Sequence, residues 1–185
     1  MKRLLQKFTV RDLVLIAAMA ALGIAIKPVV VPLAHLVSTP LMIPGGALAG
    51  GLYMMWIVVA FGLTGKHGTA LLVGFVQAIL VMITGVSGSH GAMSLVSYTM
   101  PGLFVDFVFL LLRRGIDSLP LALLAGLLAN LAGTVCVNIV FFALPLIPLL
   151  LSLCVAAFSG GLGGVLSWLL LSALRRFGVG KGRAS

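Results

Sequence analysis

Six apolar segments run through this chain. The first connection between them is long, proline-rich and predicted to be irregular, and the others are short. A helix needs about 20 apolar residues to cross the hydrocarbon core of a bilayer. Only 8% of the residues are charged against 62% hydrophobic, so the chain has too little polar surface for folding in water. We predict an all-α integral membrane protein, a compact bundle of six transmembrane helices that forms one domain over residues 1–185. The segments are Leu13–Ile26, Ala47–Leu63, Thr69–Thr84, Met93–Leu112, Leu121–Leu144 and Leu149–Leu174.

The basic residues indicate how these helices are oriented. Eleven of the twelve Lys and Arg lie in two tails, residues 1–12 and 175–185, and in two loops, one with Lys66 and one with Arg113 and Arg114. In a six-helix bundle all four lie on one side, which the positive-inside rule makes cytoplasmic. We therefore expect cytoplasmic N- and C-termini in a multi-pass protein of a cell membrane. Such tails suit anionic lipid, and no basic stripe with interleaved aromatic residues indicates nucleic acid.

The start of the chain also resembles a cleavable signal peptide, because a basic stretch precedes an apolar core and small residues near Ala25. Its removal would leave five helices and place basic loops on alternating sides of the membrane. We therefore expect this segment to be retained as the first helix.

Small residues recur every four positions on several predicted helices, which places them on one face where another helix can approach closely. On the first helix this ridge is Ala17, Ala21 and Ala25, and it is either ordinary packing inside the bundle or a docking face for a separate subunit. We expect the ridges on later helices to pack inside the bundle. These are Gly46/Gly50, Ala125/Ala129/Gly133 and Ser152/Ala156/Gly160/Gly164.

Polar side chains concentrate near the non-cytoplasmic ends of the helices, where a polar group inside a membrane protein indicates a site. Tyr98 and His90 offer flat faces, and Asn138 offers both donors and an acceptor, which suits a small heteroaromatic ligand better than a bare ion. Hydrogen bonds between helices are the alternative for each residue. The candidate substrate-binding residues are His35, Gln77, Ser89, His90, Ser94, Ser97, Tyr98, Thr134, Asn138 and Ser152.

Two charged residues inside apolar segments have more than one interpretation. Lys27 either extends to the outer interface of the membrane or meets an anionic or carbonyl group of a ligand. Asp106 is either a protonated, hydrogen-bonded packing residue or the partner of a charge elsewhere.

Several chemistries are excluded by the residues themselves. No glycine-rich loop ends in Gly-Lys-Ser/Thr, so the chain has no nucleotide-driven motor of its own. The chain lacks Glu, and His35, His67 and His90 lie on two sides of the predicted bundle, so we expect no metal site and no cofactor. The serines lack a nearby His and acid, and we expect no enzyme.

The middle of the chain, roughly Gly50–Asn130, contains an ordered set of short motifs. Lys66-His67-Gly68-Thr69-Ala70-Leu71 opens the third predicted helix and Gly85-Val86-Ser87-Gly88 closes it. Phe104-Val105-Asp106-Phe107-Val108-Phe109, Asp117-Ser118-Leu119-Pro120 and Leu124-Ala125-Gly126 follow. With six helices and the Ala ridge, this order resembles the S component of energy-coupling factor (ECF) transporters, a family of small vitamin-capturing membrane subunits. It is most similar to the YkoE-type subgroup, which is linked to thiamine or its hydroxymethylpyrimidine precursor.

The resemblance implies an ECF-type ABC importer in which this chain is the membrane-embedded substrate-binding component. Ala17, Ala21 and Ala25 would then dock on the transmembrane coupling subunit, and two cytoplasmic ATPases would supply the energy. A vitamin or vitamin precursor would lie between the outer loops and helices four to six. The alternatives are a membrane structural or interaction protein without a small-molecule ligand, and a small intramembrane enzyme or self-sufficient carrier.

The sequence departs from the subgroup where a cationic thiamine ring would be compensated. The resemblance implies acidic residues on the third helix, but Gly74 and Val81 occupy those positions and Gln77 is the strongly polar residue nearby. Without a carboxylate, a permanent cation would be poorly compensated in a dry pocket. A neutral pyrimidine or another vitamin precursor therefore fits at least as well. Nickel and cobalt are disfavoured, because metal-capturing relatives have an N-terminal Met-His motif and this chain starts Met-Lys-Arg.

Overall fold

The computed structural model describes residues 8–41, 43–86 and 91–179, and within these ranges the regular structure is helical throughout. Six of the seven α-helices in the described ranges overlap the predicted apolar segments, and Thr69–Thr84 has the predicted bounds. Two 3-10 turns, Thr39–Leu41 and Gly91–Met93, and a π-helical turn, Asn138–Phe142, extend these helices. The α-helices are α1 (Val10–Ala25), α2 (Lys27–Ser38), α3 (Gly45–Thr64), α4 (Thr69–Thr84), α5 (Ser94–Leu112), α6 (Leu119–Val137) and α7 (Leu146–Arg176).

Four of the described helices, α3, α5, α6 and α7, are long and apolar enough to cross a membrane. Helices α1 and α2 together form a fifth candidate span, bent by 41° between Ala25 and Lys27, while α4 is a shorter apolar helix of 16 residues. Large apolar side chains such as Leu111, Ile147 and Phe158 are more than two-thirds exposed, as a surface that faces lipid requires. The helical membrane architecture is therefore confirmed, with four candidate spans, or five if the bent pair is counted as one span.

Helix α2 replaces what the sequence suggested would be an irregular, proline-rich connection. Pro28 lies in the first turn of α2, where a main-chain N–H has no intrahelical partner and a fixed φ favours the helix. The residue before a proline disfavours the α region, which explains the bend at Lys27. Val31, Ala34 and Ser38 bury one face of α2 against the bundle.

Glycines bring α3, α6 and α7 into contact along their main chains. A Cβ atom added at Gly163 would lie 2.2 Å from the carbonyl oxygen of Gly51, and one at Gly126 would lie 2.3 Å from that of Gly160. The main chains of two helices can come this close only where neither residue has a side chain, and the close packing gives the helices extensive van der Waals contact. Of the predicted ridges, Gly50, Gly160 and Gly164 pack inside the bundle as expected, whereas Gly46, Gly133 and Ser152 line a cavity.

The basic segments meet at one end of the bundle, which we call the basic end. Lys66, in the α3–α4 loop, forms an ion pair with Asp12 in the first turn of α1. Arg175, near the end of α7, donates hydrogen bonds to the carbonyl oxygens of Gly62 and Ile116, each at 2.8 Å. The start of α1, both predicted basic loops and the end of α7 therefore lie together, as the six-helix prediction requires.

Candidate functional site

A cavity of about 430 Å³ lies at the end of the bundle opposite the basic end. It is lined by the starts of α3 and α5, one face of α2, the end of α6 and an early turn of α7. Its volume is within the range of small-molecule sites in proteins. The lining residues are Lys27, Val31, His35, Thr39, Ile43, Pro44, Gly45, Gly46, Ala47, Tyr53, Met54, Ser97, Tyr98, Asn130, Gly133, Thr134, Val137, Asn138, Phe142, Leu144 and Ser152.

Lys27 is the central charged group of this cavity. Its side chain is 2% exposed, and its Nζ donates a hydrogen bond to the hydroxyl of Tyr98. Nζ also lies 4.7 Å from the ring centroid of Tyr53 and 4.3 Å from that of Tyr98, within cation–π range of both. Lys27 is therefore buried inside the bundle and does not extend to its surface, while contact with a ligand stays a prediction.

No carboxylate accompanies Lys27. The chain contains three acidic residues, all within the described ranges. Asp12 pairs with Lys66 at the basic end, and Asp106 accepts main-chain hydrogen bonds at the start of α4. Asp117 is exposed in the α5–α6 loop. The cavity therefore contains a cation without an acidic partner.

One face of α6 supplies the amide and hydroxyl groups of the cavity. Asn130, Thr134 and Asn138 are spaced by four residues and are all buried on that face. The amide of Asn130 donates to the carbonyl oxygens of Ala47 (3.0 Å) and Ala156 (2.9 Å), which joins α6 to α3 and α7. Asn130 therefore fixes the cavity wall, and its buried Oδ1 has no hydrogen-bond partner in the described chain.

Asn138 shapes the end of α6 as well as the cavity. Its Oδ1 accepts the main-chain N–H of Leu144 at 3.0 Å, and its carbonyl oxygen accepts that of Ala143 at 2.8 Å. Ala143 has a positive φ of 44°, which turns the chain toward α7. The amide nitrogen of Asn138 is thus the group on this side chain that could meet a ligand.

Six of the ten predicted binding residues line the cavity: His35, Ser97, Tyr98, Thr134, Asn138 and Ser152. Ser152 already donates to the carbonyl oxygen of Pro148 at 2.8 Å. Gln77 and Ser94 are buried in the bundle and do not line it; a Cβ added at Gly23 on α1 would meet the amide of Gln77. Ser89 and His90 lie outside the described residues.

Tyr53 and Asn130 line the cavity although the sequence did not single them out. Asn130 precedes Thr134 and Asn138 by one and two steps of four residues, so the same spacing argument would have included it. Tyr53 carries a polar atom inside an apolar segment, and its hydroxyl lies 3.4 Å from the carbonyl oxygen of Gly46. Only the fold shows that Tyr53 meets Lys27.

Ala17, Ala21 and Ala25 lie together on the exposed face of α1, whereas Ile16, Ala20 and Ile24 are buried against the bundle. None of the three alanines lines the cavity. This arrangement separates a small-residue surface from the candidate ligand site, and its docking role stays a prediction.

Two comparisons relate the chain to known proteins. The family described as "ABC-type cobalt transport system, permease component" matches residues 11–132, about two-thirds of the chain. A solved structure described as the crystal structure of an S-component of an ECF transporter is similar over 93% of this chain and 88% of that one, with a TM-score of 0.79 and 23% sequence identity. At that identity the similarity shows a shared fold. No curated protein matches the sequence significantly.

Proposed function

This chain belongs to the family of ABC-type cobalt transport system permease components, and we propose that it is the substrate-binding S component of an ECF-type importer. Family membership assigns the chain to transport and not to catalysis. The observation that carries the proposal is the cavity of about 430 Å³, lined by two tyrosines and by amide and hydroxyl groups, in a bundle with the S-component fold. The proposed substrate is a vitamin or vitamin precursor.

The proposed topology has six transmembrane crossings with both termini in the cytoplasm. The bent pair α1–α2 counts as one crossing and α4 as a short one, since an apolar helix of 16 residues is about 24 Å long. The positive-inside rule places the basic end in the cytoplasm. The cavity then lies near the outer surface of a prokaryotic plasma membrane, where it can capture a scarce solute.

The proposed partners are a transmembrane coupling subunit and two cytoplasmic ATPases. The exposed ridge of Ala17, Ala21 and Ala25 is the proposed docking face, because small side chains allow another helix to approach closely. Docking there would leave the cavity residues untouched.

The donor set of the cavity favours an organic substrate over the metal in the family's description. Among the described residues, amides, hydroxyls, two phenols and the imidazole of His35 line it, and neither a thiol nor a carboxylate does. Within the described residues no group of three His, Cys, Asp or Glu side chains could hold a metal ion. Of the two substrates linked to the YkoE-type subgroup, the hydroxymethylpyrimidine precursor, free or as its phosphate ester, suits a cavity with Lys27 better than thiamine, because the thiamine ring is a permanent cation.

Native mass spectrometry of the gently purified protein tests this proposal, because a tightly bound vitamin or precursor would add its own mass to the protein. Uptake in proteoliposomes that contain the coupling subunit and ATPases should then require both this chain and ATP. If the protein carries no ligand, binds no vitamin in a thermal-shift screen and supports no uptake, it is instead a membrane interaction protein.

A further inference from the structure

Among the described residues, Lys27 is the only Lys or Arg whose side chain is buried. An ammonium group loses its hydration when it is buried, and a protein normally compensates this loss with a counter-ion and hydrogen bonds. Within residues 8–41, 43–86 and 91–179, its compensation consists of one hydrogen bond to Tyr98 and the faces of two tyrosine rings. An ammonium has three donors, so two remain without a described partner.

The start of α3 adds a second positive element to the same cavity. Gly45, Gly46 and Ala47 line it, and no side-chain hydrogen bond caps this 20-residue helix. The first N–H groups of a helix have no intrahelical acceptor, and the helix dipole gives this end a partial positive charge. The imidazole of His35 packs against Gly45, where a Cβ would lie 2.8 Å from its Cε1, and the N–H of Ala47 donates to the carbonyl oxygen of Pro44 at 2.9 Å. Gly46 is more open, because a Cβ there would meet its nearest neighbour, the hydroxyl of Tyr53, at 3.5 Å, so a ligand can approach the main chain at this residue.

From this convergence we propose that the substrate carries an anionic group, a carboxylate or a phosphate, which binds between the ammonium of Lys27 and the start of α3. The anion supplies the counter-ion that Lys27 lacks. The uncharged part of the substrate then lies against the tyrosine rings, with Thr134 and the amide of Asn138 as hydrogen-bonding groups. This inference rests on the proposed function and narrows its substrate class to small acids and phosphate esters.

Matched pairs of probes test the charge requirement on the full-length protein in mild detergent. The pairs are nicotinate with nicotinamide, pantothenate with pantothenol, biotin with biotinol, and hydroxymethylpyrimidine phosphate with hydroxymethylpyrimidine. We expect the anionic member of at least one pair to bind at least tenfold more tightly than its neutral partner. Native mass spectrometry of a ligand carried from the cell should likewise show an acidic molecule.

Variants of Lys27 identify the group that recognises the anion. Lys27→Met should weaken binding of the anionic probe at least tenfold without lowering the melting temperature of the empty protein, because it removes an uncompensated buried charge. Lys27→Arg should retain the preference for the anion. Arg176→Met is the control, since it removes an exposed charge at the basic end and should leave affinity unchanged. If Lys27→Met does not fold, competition between inorganic phosphate or acetate and the probe on the native protein provides the same test.

The results separate this inference from the proposed function. Equal or tighter binding of the neutral partners, or unchanged affinity of Lys27→Met for the anionic probe, would overturn the proposal of an anionic substrate. Neither result would affect the proposed role as an importer component. A phospholipid in the cavity would also overturn the proposal of an anionic substrate, because the anion would then be a membrane headgroup. If no probe binds and no ligand is carried from the cell, the proposed function fails, and this inference fails with it.

Discussion

The carboxylate of Asp106 on α5 accepts the main-chain N–H of Leu71 on α4 at 2.7 Å. Its other oxygen accepts the N–H of Gly68 at 2.8 Å, so one buried side chain holds two of the first N–H groups of a neighbouring helix. A negative charge at this position also interacts favourably with the helix dipole. Asp106 is therefore a hydrogen-bonded residue that caps the start of α4.

Replacing Asp106 with Ala should lower the free energy of unfolding by roughly 3 kcal/mol, because buried donors lose charged hydrogen-bond partners. The melting temperature in detergent measures this effect. Asp117→Ala is the matched control, since Asp117 is exposed and should tolerate the change. Equal melting temperatures for the two variants would show that Asp106 does not stabilise the start of α4.

Gly163→Ala should destabilise the bundle, because the new Cβ would lie 2.2 Å from the main-chain oxygen of Gly51 and would push α7 away from α3. Gly161→Ala, two residues earlier on the same helix, meets its nearest neighbour at 3.9 Å and should be neutral or stabilising by up to ~1 kcal/mol. Thermal unfolding of both variants measures the difference. An unchanged melting temperature for Gly163→Ala would contradict the close contact of α3 with α7.

Ala21→Trp should abolish uptake in the reconstituted transporter and leave ligand affinity intact, because the ring would hold the proposed docking surfaces apart. Ala21 is exposed and does not line the cavity. Leu162→Trp, at an exposed position of α7, is the control and should retain uptake. Retained uptake in Ala21→Trp would remove α1 as the docking face.

Thr134→Val should weaken ligand binding by about fivefold to tenfold without changing stability, since a hydrogen bond is worth about 1 kcal/mol and the two side chains have similar shapes. Thr134 lines the cavity and is 8% exposed. Isothermal titration with the identified substrate measures the change, and Thr84→Val, on the exposed end of α4, is the control. An unaltered dissociation constant would exclude Thr134 from the ligand contacts.

Asn138→Leu should reduce both affinity and stability, which distinguishes it from Thr134→Val. The variant loses an amide in the cavity and also the acceptor that holds the N–H of Leu144. We expect at least a tenfold loss of affinity and a lower melting temperature. Loss of neither property would show that the turn after α6 does not depend on this side chain.

Hydrophobic length was sufficient to predict six of the seven α-helices in the described residues, and the basic residues indicated which segments meet at one end of the bundle. The predicted apolar segment Thr69–Thr84 has the same bounds as α4. Gly160 and Gly164, which are four residues apart on α7, both contact α6, as the spacing of four residues predicted. These patterns can be recognised within one segment of the sequence, because a helix in lipid forms its main-chain hydrogen bonds within itself and has small residues where it contacts another helix. The prediction of an irregular connection was wrong at α2, and the reason is also local. Pro28 and Pro32 suggested irregular structure, although a proline in the first turn of a helix favours the helix.

The candidate site was less predictable, because it depends on contacts between distant segments. Thr134 and Asn138 could be found from their spacing on one helix face. By contrast, Lys27 and Tyr98 are 71 residues apart, and no sequence pattern shows that they meet. Sequence alone also cannot distinguish Gln77, which is buried away from the cavity, from Ser97, which lines it.

The glycine contacts of α3, α6 and α7 have a consequence for how related proteins can diverge. At Gly51, Gly126 and Gly163 the neighbouring main chain occupies the space of a side chain, so these positions have almost no freedom to vary. Side chains on α2 and at the start of α5 can change without altering those contacts. Evolution can therefore alter the chemical selectivity of such a bundle by substitutions at a few wall positions, while the same helical frame is inherited unchanged.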